Sequence, residues 1–365
     1  MKMPSLRDSL AYEGFPQATR RVLEQAEAAC SGGGEVGGGG GSQLAALVEE
    51  FVHFRPPDAL PHHTGLNALQ ELQLLQILSD YFGGKTNTGL ARQVFMVLFA
   101  TRGGADRLTD HKVKLLGKLV SMCIATQHEM VLDCTSYWIL QEGAASPPVL
   151  TLLTSVIQDY CMLMPGTLDT LRKVDRTSPS FACQFVTIVT GLYQLKPVSS
   201  SHPPPALLEV IAEWVAGNPR ICLASLKDTK GSAPVTPIPG LCHWCVKSPL
   251  VQNPEKNAPE DAILYSKLHL GVLQSLLAAQ TIAPNAKLLP VSTVEEIVAD
   301  LRALVSAAGQ QGEAAQTAVE RLAQVMQVAM ATGCTHLSRK QVAGVCGQLP
   351  ENRLLALILG YGGEG

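Results

Sequence analysis

Between Leu66 and Phe82 the chain reads LNALQELQLLQILSDYF. Leu66, Leu69, Leu72 and Leu75 recur every third residue, while Leu74, Ile77, Leu78 and Tyr81 widen the apolar stripe. Residues three and four apart share a helix face, so this spacing predicts a helix with apolar surface on more than one side. Such a helix is suited to being held between neighbours, and its pattern sets the reading of the whole chain.

Similar patterns recur on both sides of it, each closed by a breaker. Gln43–Phe54 ends at Arg55-Pro56-Pro57, and Gly89–Ala100 runs towards Gly103-Gly104. Asp110–Ala125, Glu129–Leu140, Val149–Met164, Thr167–Val174, Ser178–Leu195 and Ala206–Ala216 follow, then a short Leu241–Lys247. Asp261–Thr281, Val291–Ala308, Glu313–Thr332, Ser338–Leu349 and Glu351–Leu359 complete the series. No stretch alternates apolar and polar residues over a strand's length, so β-structure is expected to be negligible. Helices of about 10–20 residues on short connections favour an all-α fold, an irregular HEAT/armadillo-like helical repeat or α-solenoid. A strict sequence period is not visible, and a closed helical bundle is the competing architecture.

The predicted organisation is an N-terminal helix in residues 1–30, a Gly-rich flexible linker in 31–42 (SGGGEVGGGGGS) and a helical-repeat domain in 43–250. A loop in 251–260 and a C-terminal helical region in 261–360 follow. Glycine leaves no side chain to pack, which makes the linker a tether.

Composition narrows the function classes. Of 365 residues, 46% are apolar and 16% charged, enough apolar surface to supply both a core and an interface. The net charge of −3 offers no field for phosphates, and no Lys/Arg cluster exceeds Arg20-Arg21, so direct nucleic-acid binding is not expected. No uncharged apolar run reaches the about 18–20 residues of a membrane span. The opening MKMPSLRDSLAYEGF lacks the apolar core of a signal peptide. Ten cysteines, among them Cys123, Cys134, Cys161 and Cys183 within helical patterns, read as small core residues in a reducing, intracellular compartment.

Reactive constellations are few. Cys242-His243-Trp244-Cys245 carries a C-x-x-C that could be half a zinc site or a redox pair. Zinc requires a second close pair of Cys or His, whereas Cys334 and Cys346 stand twelve apart. A redox pair requires a strand before it, so packing is the favoured use of Cys242 and Cys245. Gly32, Gly34 and Gly37 match a dinucleotide loop without the strand that loop must leave. The Gly83-Gly84-Lys85-Thr86 string follows a helix and reads as its stop, with glycine supplying a left-handed turn. Glu295, Glu296 and Asp300 read as a solvated helix face reinforced by Arg302. His62-His63 sits among prolines, and His269 lies on an apolar helix. Trp138, Trp214 and Trp244 are expected to lock neighbouring repeats together. No catalytic, cofactor-binding or metal-binding residue is assigned, and no enzyme activity is expected.

Several strings, in order, resemble the Integrator complex subunit 15 family of metazoan nuclear proteins. They are LNALQELQLLQI (Leu66–Ile77), LLGKLVSM (Leu115–Met122), DYCMLMPGTLDTL (Asp159–Leu171) and SPSFACQFVTIVTGLYQL (Ser178–Leu195). PPALLEVIAEWV (Pro204–Val215), WCVKSPL (Trp244–Leu250), LYSKLHLGVLQ (Leu264–Gln274) and RLAQVMQVAMATG (Arg321–Gly333) continue the series. The resemblance covers Leu44 to Leu359 and implies a helical, HEAT-like nuclear subunit without catalytic activity, cofactor or metal. It implies a scaffold linking the module of subunits 10, 13 and 14 to the Integrator core through subunits 5 and 8. The resemblance also implies support for small nuclear RNA 3′-end processing and RNA polymerase II transcription regulation. Cys242 and the polyglycine tract depart from the family pattern. The alternative is a cytoplasmic helical adaptor whose Leu-rich strings arose by convergence.

Overall fold

A computed structural model describes residues 6–31, 40–54, 66–101, 107–163, 165–195, 202–228, 235–251, 259–284, 286–308 and 312–359. Among the described residues there is no strand. The chain divides into two compact units, Met1–Asp159 and Tyr160–Gly365.

The first unit holds α1 (Leu6–Glu13), α2 (Gln17–Ser31), α3 (Gly40–Phe51), α4 (Ala68–Gly83), α5 (Thr88–Phe99), α6 (Arg107–Ala125), α7 (Glu129–Glu142) and α8 (Pro147–Ile157). The second holds α9 (Leu168–Arg172), α10 (Val174–Thr177), α11 (Pro179–Leu192), α12 (Pro205–Gly217), α13 (Ile238–Val251) and α14 (Pro259–Ile282). It ends with α15 (Val291–Ala308), α16 (Glu313–Ala331), α17 (Arg339–Cys346) and α18 (Arg353–Leu359).

Helix starts follow local chemistry. Asn67 caps α4 by accepting from the Gln70 amide while the Gln70 side chain accepts from the Asn67 amide, a reciprocal capping box. Ser338 and Gln341 repeat the device on α17. Pro147 and Pro179 occupy first-turn positions, where a missing N–H leaves no bond unmade.

Packing follows a repeat logic. In the first unit α4 lies against α6, α5 against α7, and α6 against α8. In the second, α11 lies against α13, α12 against α14, α14 against α16, and α16 against α18. Contact with the next helix but one is the signature of stacked antiparallel pairs, and it makes the all-α, solenoid-like class plain. Polar clasps mark the same lag. Arg92 bonds Asp133, the Thr101 hydroxyl bonds Glu142 and Ser121 bonds Asp159, spans of 41, 41 and 38 residues. Lys287 reaches the Gly333 carbonyl and Arg302 the Val345 carbonyl, spans of 46 and 43. Helical repeats of the HEAT type are about 40–47 residues long, and four of these five clasps fall within that span.

Several expected boundaries shift. The single helix expected in residues 1–30 is two, because Gly14 takes φ +65° and Pro16 has no amide hydrogen to donate. The tract expected as a linker lies largely outside the described residues (32–39), and α3 begins within it, at Gly40. The segment expected as one helix to Met164 passes at Gln158 into a π-helical turn ending at Leu163. That turn buries Tyr160 and leaves Met162 and Leu163 exposed. The run from Pro219 to Asp228 is a 3-10 helix of ten residues, long for its type. Helix α13 extends through Pro249, which lies in its last turn, to Val251. His62 and His63 lie outside the described residues.

Helix α14 is apolar nearly all round, long and apolar enough to cross a membrane by composition alone. Its packing accounts for that character. Tyr265, Leu268, Val272, Leu276 and Ala279 are buried, and α12, α13 and α16 all lie against it. A helix surrounded on several sides has no need of a polar face there.

Candidate functional site

Three tryptophans form a recurring joint. The Trp138 indole N–H donates to the Phe99 carbonyl at 2.9 Å, Trp214 to Arg172 at 2.8 Å, and Trp244 to Tyr193 at 2.6 Å. Phe99 and Arg172 end α5 and α9, and Tyr193 follows α11. The last carbonyls of a helix have no partner inside it, so each buried indole satisfies an orphan acceptor while filling the core. All three rings are fully buried, which is the repeat-locking use expected of them.

Helix α13 carries the C-x-x-C. Cys242 and Cys245 are both buried, and burial raises both thiols, Cys245 to about 12. The nearby cysteines are Cys222 of the 3-10 segment and Cys183 of α11, rather than Cys334 or Cys346. Cys222 is itself pushed up to about 12 by burial. Thiols held protonated are poor ligands and poor nucleophiles. Among the described residues no three His, Cys, Asp or Glu side chains are arranged to hold a metal ion. The long-range cysteine neighbours could not be read locally, because Cys183 and Cys222 arrive from separate elements.

The structure also redistributes the charges. Lys247, four residues after His243 on α13, is 5% exposed and donates to the Gln194 carbonyl at 3.1 Å. Its ammonium pairs with Asp300 of α15 at 2.7 Å. Asp300 therefore ties two helices together while staying exposed on the same face as Glu295 and Glu296, and Arg302 reaches the Val345 carbonyl instead of reinforcing that face. Glu296 faces the His243 ring at 3.9 Å. Burial, aided by Lys247, pushes that imidazole down to about 4, which leaves it uncharged at neutral pH. These side chains line a cavity of about 560 Å³ together with Thr236 and Trp244. The only local hint of it is a lysine placed on an otherwise apolar helix.

The GGKT string serves α4. Gly84 closes the helix at φ −79°, right-handed rather than the expected left-handed turn, with its amide bonded to Asp80 and Phe82 carbonyls. Lys85 lies 4.1 Å over the Tyr81 ring and pairs with Glu27 at 2.5 Å, holding that carboxyl below its usual range. His269 bonds Gln324 of α16 at 2.7 Å.

Apolar side chains also reach solvent in ordered sets. On α14, Ile263, Leu270 and Leu277 repeat every seven residues on one face and are 56%, 56% and 53% exposed. On α4, Leu69 and Leu72 are exposed, while Leu75, Ile77 and Leu78 face the core. The every-third-residue leucines of the opening stretch thus serve two surfaces.

Comparison with known proteins agrees with this picture. The sequence model of the family described as Integrator complex subunit 15 matches residues 4–351. The chain belongs to the Integrator complex subunit 15 family. It is 35% identical to Integrator complex subunit 15 of Homo sapiens over 354 residues, covering 86% of this chain and 76% of the human protein. It is 33% identical to the Danio rerio protein, over 86% of this chain and 70% of that one. The Drosophila melanogaster protein is 29% identical, over 84% of this chain and 81% of its own length.

The subunit 15 match runs through both compact units, so the tryptophan joints and the α13 cluster lie inside the family region. Cysteine accessibility provides a test of the packing reading. Of the ten free thiols, only those of Cys30 and Cys161 are partly exposed. Native protein treated with a thiol-reactive dye is expected to label at those two first, with Cys242 and Cys245 reacting only on unfolding. Rapid native labelling of Cys242 or Cys245, mapped by peptide mass, would contradict their burial.

Proposed function

We propose that the chain is a non-catalytic scaffold subunit of the nuclear Integrator complex. In this reading it links the module of subunits 10, 13 and 14 to the core through subunits 5 and 8. It thereby supports small nuclear RNA 3′-end processing and the regulation of RNA polymerase II transcription. Family membership supplies the assembly, and one structural observation supports the scaffold role. The heptad-spaced Ile263, Leu270 and Leu277 present apolar surface away from the core of the second unit. Exposed large apolar side chains repeated on one helix face stay in contact with water unless another surface covers them.

The test is to replace Leu270 and Leu277 together by glutamate in the tagged full chain. Leucine and glutamate have similar helix propensities, so α14 itself is expected to persist. Recovery of Integrator subunits from nuclear extract should fall about tenfold, with the thermal midpoint unchanged. Full recovery with the double variant would remove α14 as the docking face. Failure of the unaltered chain to recover any Integrator subunit would overturn the scaffold reading.

A further inference from the structure

The cavity between α11, α13 and α15 holds features that the packing of the second unit does not use. Thr236 is 6% exposed, and its hydroxyl is buried without a hydrogen-bond partner although it lines the cavity. A buried hydroxyl left unpaired is costly, so a group able to hydrogen-bond to it is favoured at that position. Lys247 is neutralised by Asp300, which leaves Glu296 as the uncompensated charge of the lining. The imidazole of His243, 3.9 Å from Glu296, offers a neutral ring beside that carboxylate. Gly240 keeps the space between α11 and α13 narrow, since a Cβ there would lie 2.1 Å from the Thr190 hydroxyl.

We propose that this cavity receives an arginine side chain from a partner polypeptide, its guanidinium held by Glu296 and the Thr236 hydroxyl. The inference rests on the scaffold reading and names the chemistry of one contact within it. Arginine suits the lining better than lysine for two reasons. Its planar fork carries five donors and can engage the carboxylate and the hydroxyl together. Its weaker hydration lowers the cost of entering a half-enclosed space. The volume of about 560 Å³ accommodates such a side chain with flanking backbone. An anion is disfavoured, because the one cation present is already bonded to Asp300 and to the Gln194 carbonyl.

The test has two arms. In the first, the full chain is titrated with N-acetyl-arginine methylamide, N-acetyl-lysine methylamide or inorganic phosphate, followed by tryptophan fluorescence. The arginine compound should bind saturably and more tightly than the lysine compound, and phosphate should not bind. Glu296→Gln and Thr236→Val should each weaken arginine binding about tenfold. Thr236→Val should also leave the thermal midpoint at or above that of the unaltered chain, because it removes an unpaired hydroxyl. Undiminished arginine binding by both variants, or preference for phosphate, would overturn the proposal.

In the second arm, tagged unaltered chain and Glu296→Gln are compared for recovery of Integrator subunits from nuclear extract. A loss confined to the variant supports the arginine contact. Equal recovery by both overturns the cavity proposal and leaves the scaffold reading standing. No recovery by the unaltered chain would instead defeat the scaffold reading itself.

Discussion

Replacing Trp214 by alanine is expected to lower the unfolding free energy of the second unit by about 3–5 kcal/mol. The effect has two separable parts. The indole is fully buried and meets Phe185 edge-on at 5.8 Å, so its removal leaves a large void. Its N–H also satisfies the Arg172 carbonyl at the end of α9, which would be left without that partner. Trp214→Phe keeps much of the volume but removes the donor, and should cost about 1–3 kcal/mol. Denaturant unfolding of the full chain, followed by circular dichroism, would show Trp214→Ala unfolding earlier than Trp214→Phe, and both earlier than the unaltered chain. A loss below about 1 kcal/mol for the alanine variant would mean that the tryptophan joints do not lock the repeats.

Gly271→Ala is expected to destabilise the same unit by about 1–3 kcal/mol. A Cβ at this position would lie 2.9 Å from Val215 Cγ1, 2.9 Å from the Val215 carbonyl oxygen and 3.0 Å from its carbon. Two of those three atoms are backbone, so relief requires α12 and α14 to separate rather than one side chain to turn. Alanine favours helix over glycine by about 1 kcal/mol, and that gain is smaller than the cost of parting two helices packed along their length. Gly344 on α17 provides the control of sign, since a Cβ there meets nothing within 4 Å. Gly344→Ala should raise the midpoint slightly and Gly271→Ala should lower it. A rise for both would show that α12 and α14 do not approach this closely.

Much of this fold can be read from local pattern. The stripe from Leu66 to Phe82 predicts α4, and the structure places Leu74, Leu75, Ile77 and Leu78 inward as that stripe requires. Prolines and glycines mark most breaks, because their backbone constraints act within one or two residues. Gly14 was harder to recognise as a break, since a lone glycine inside an apolar pattern is usually tolerated by a helix. The repeat itself was invisible as a sequence period. It is carried by pairs such as Arg92 with Asp133, which other residue types replace in later clasps, and Trp138 with the Phe99 carbonyl, where the acceptor is backbone. A carbonyl acceptor leaves no trace in residue identity, so such a joint has no sequence signature.

The candidate site was less legible for the same reason. Asp300 appears solvated within its own helix, and only the approach of α13 turns it into the partner of Lys247. Thr236 gives no signal beyond a threonine between prolines. Cys242 and Cys245 were legible as packing residues, because Leu241, Trp244 and Val246 around them already describe a buried helix.

The most direct measurement of the scaffold claim is to deplete this chain from the cells that make it and fractionate nuclear extract by size. The account predicts that subunits 10, 13 and 14 then migrate apart from the Integrator core, and rejoin it when the full chain is restored. Co-migration of those three subunits with the core in its absence would contradict it.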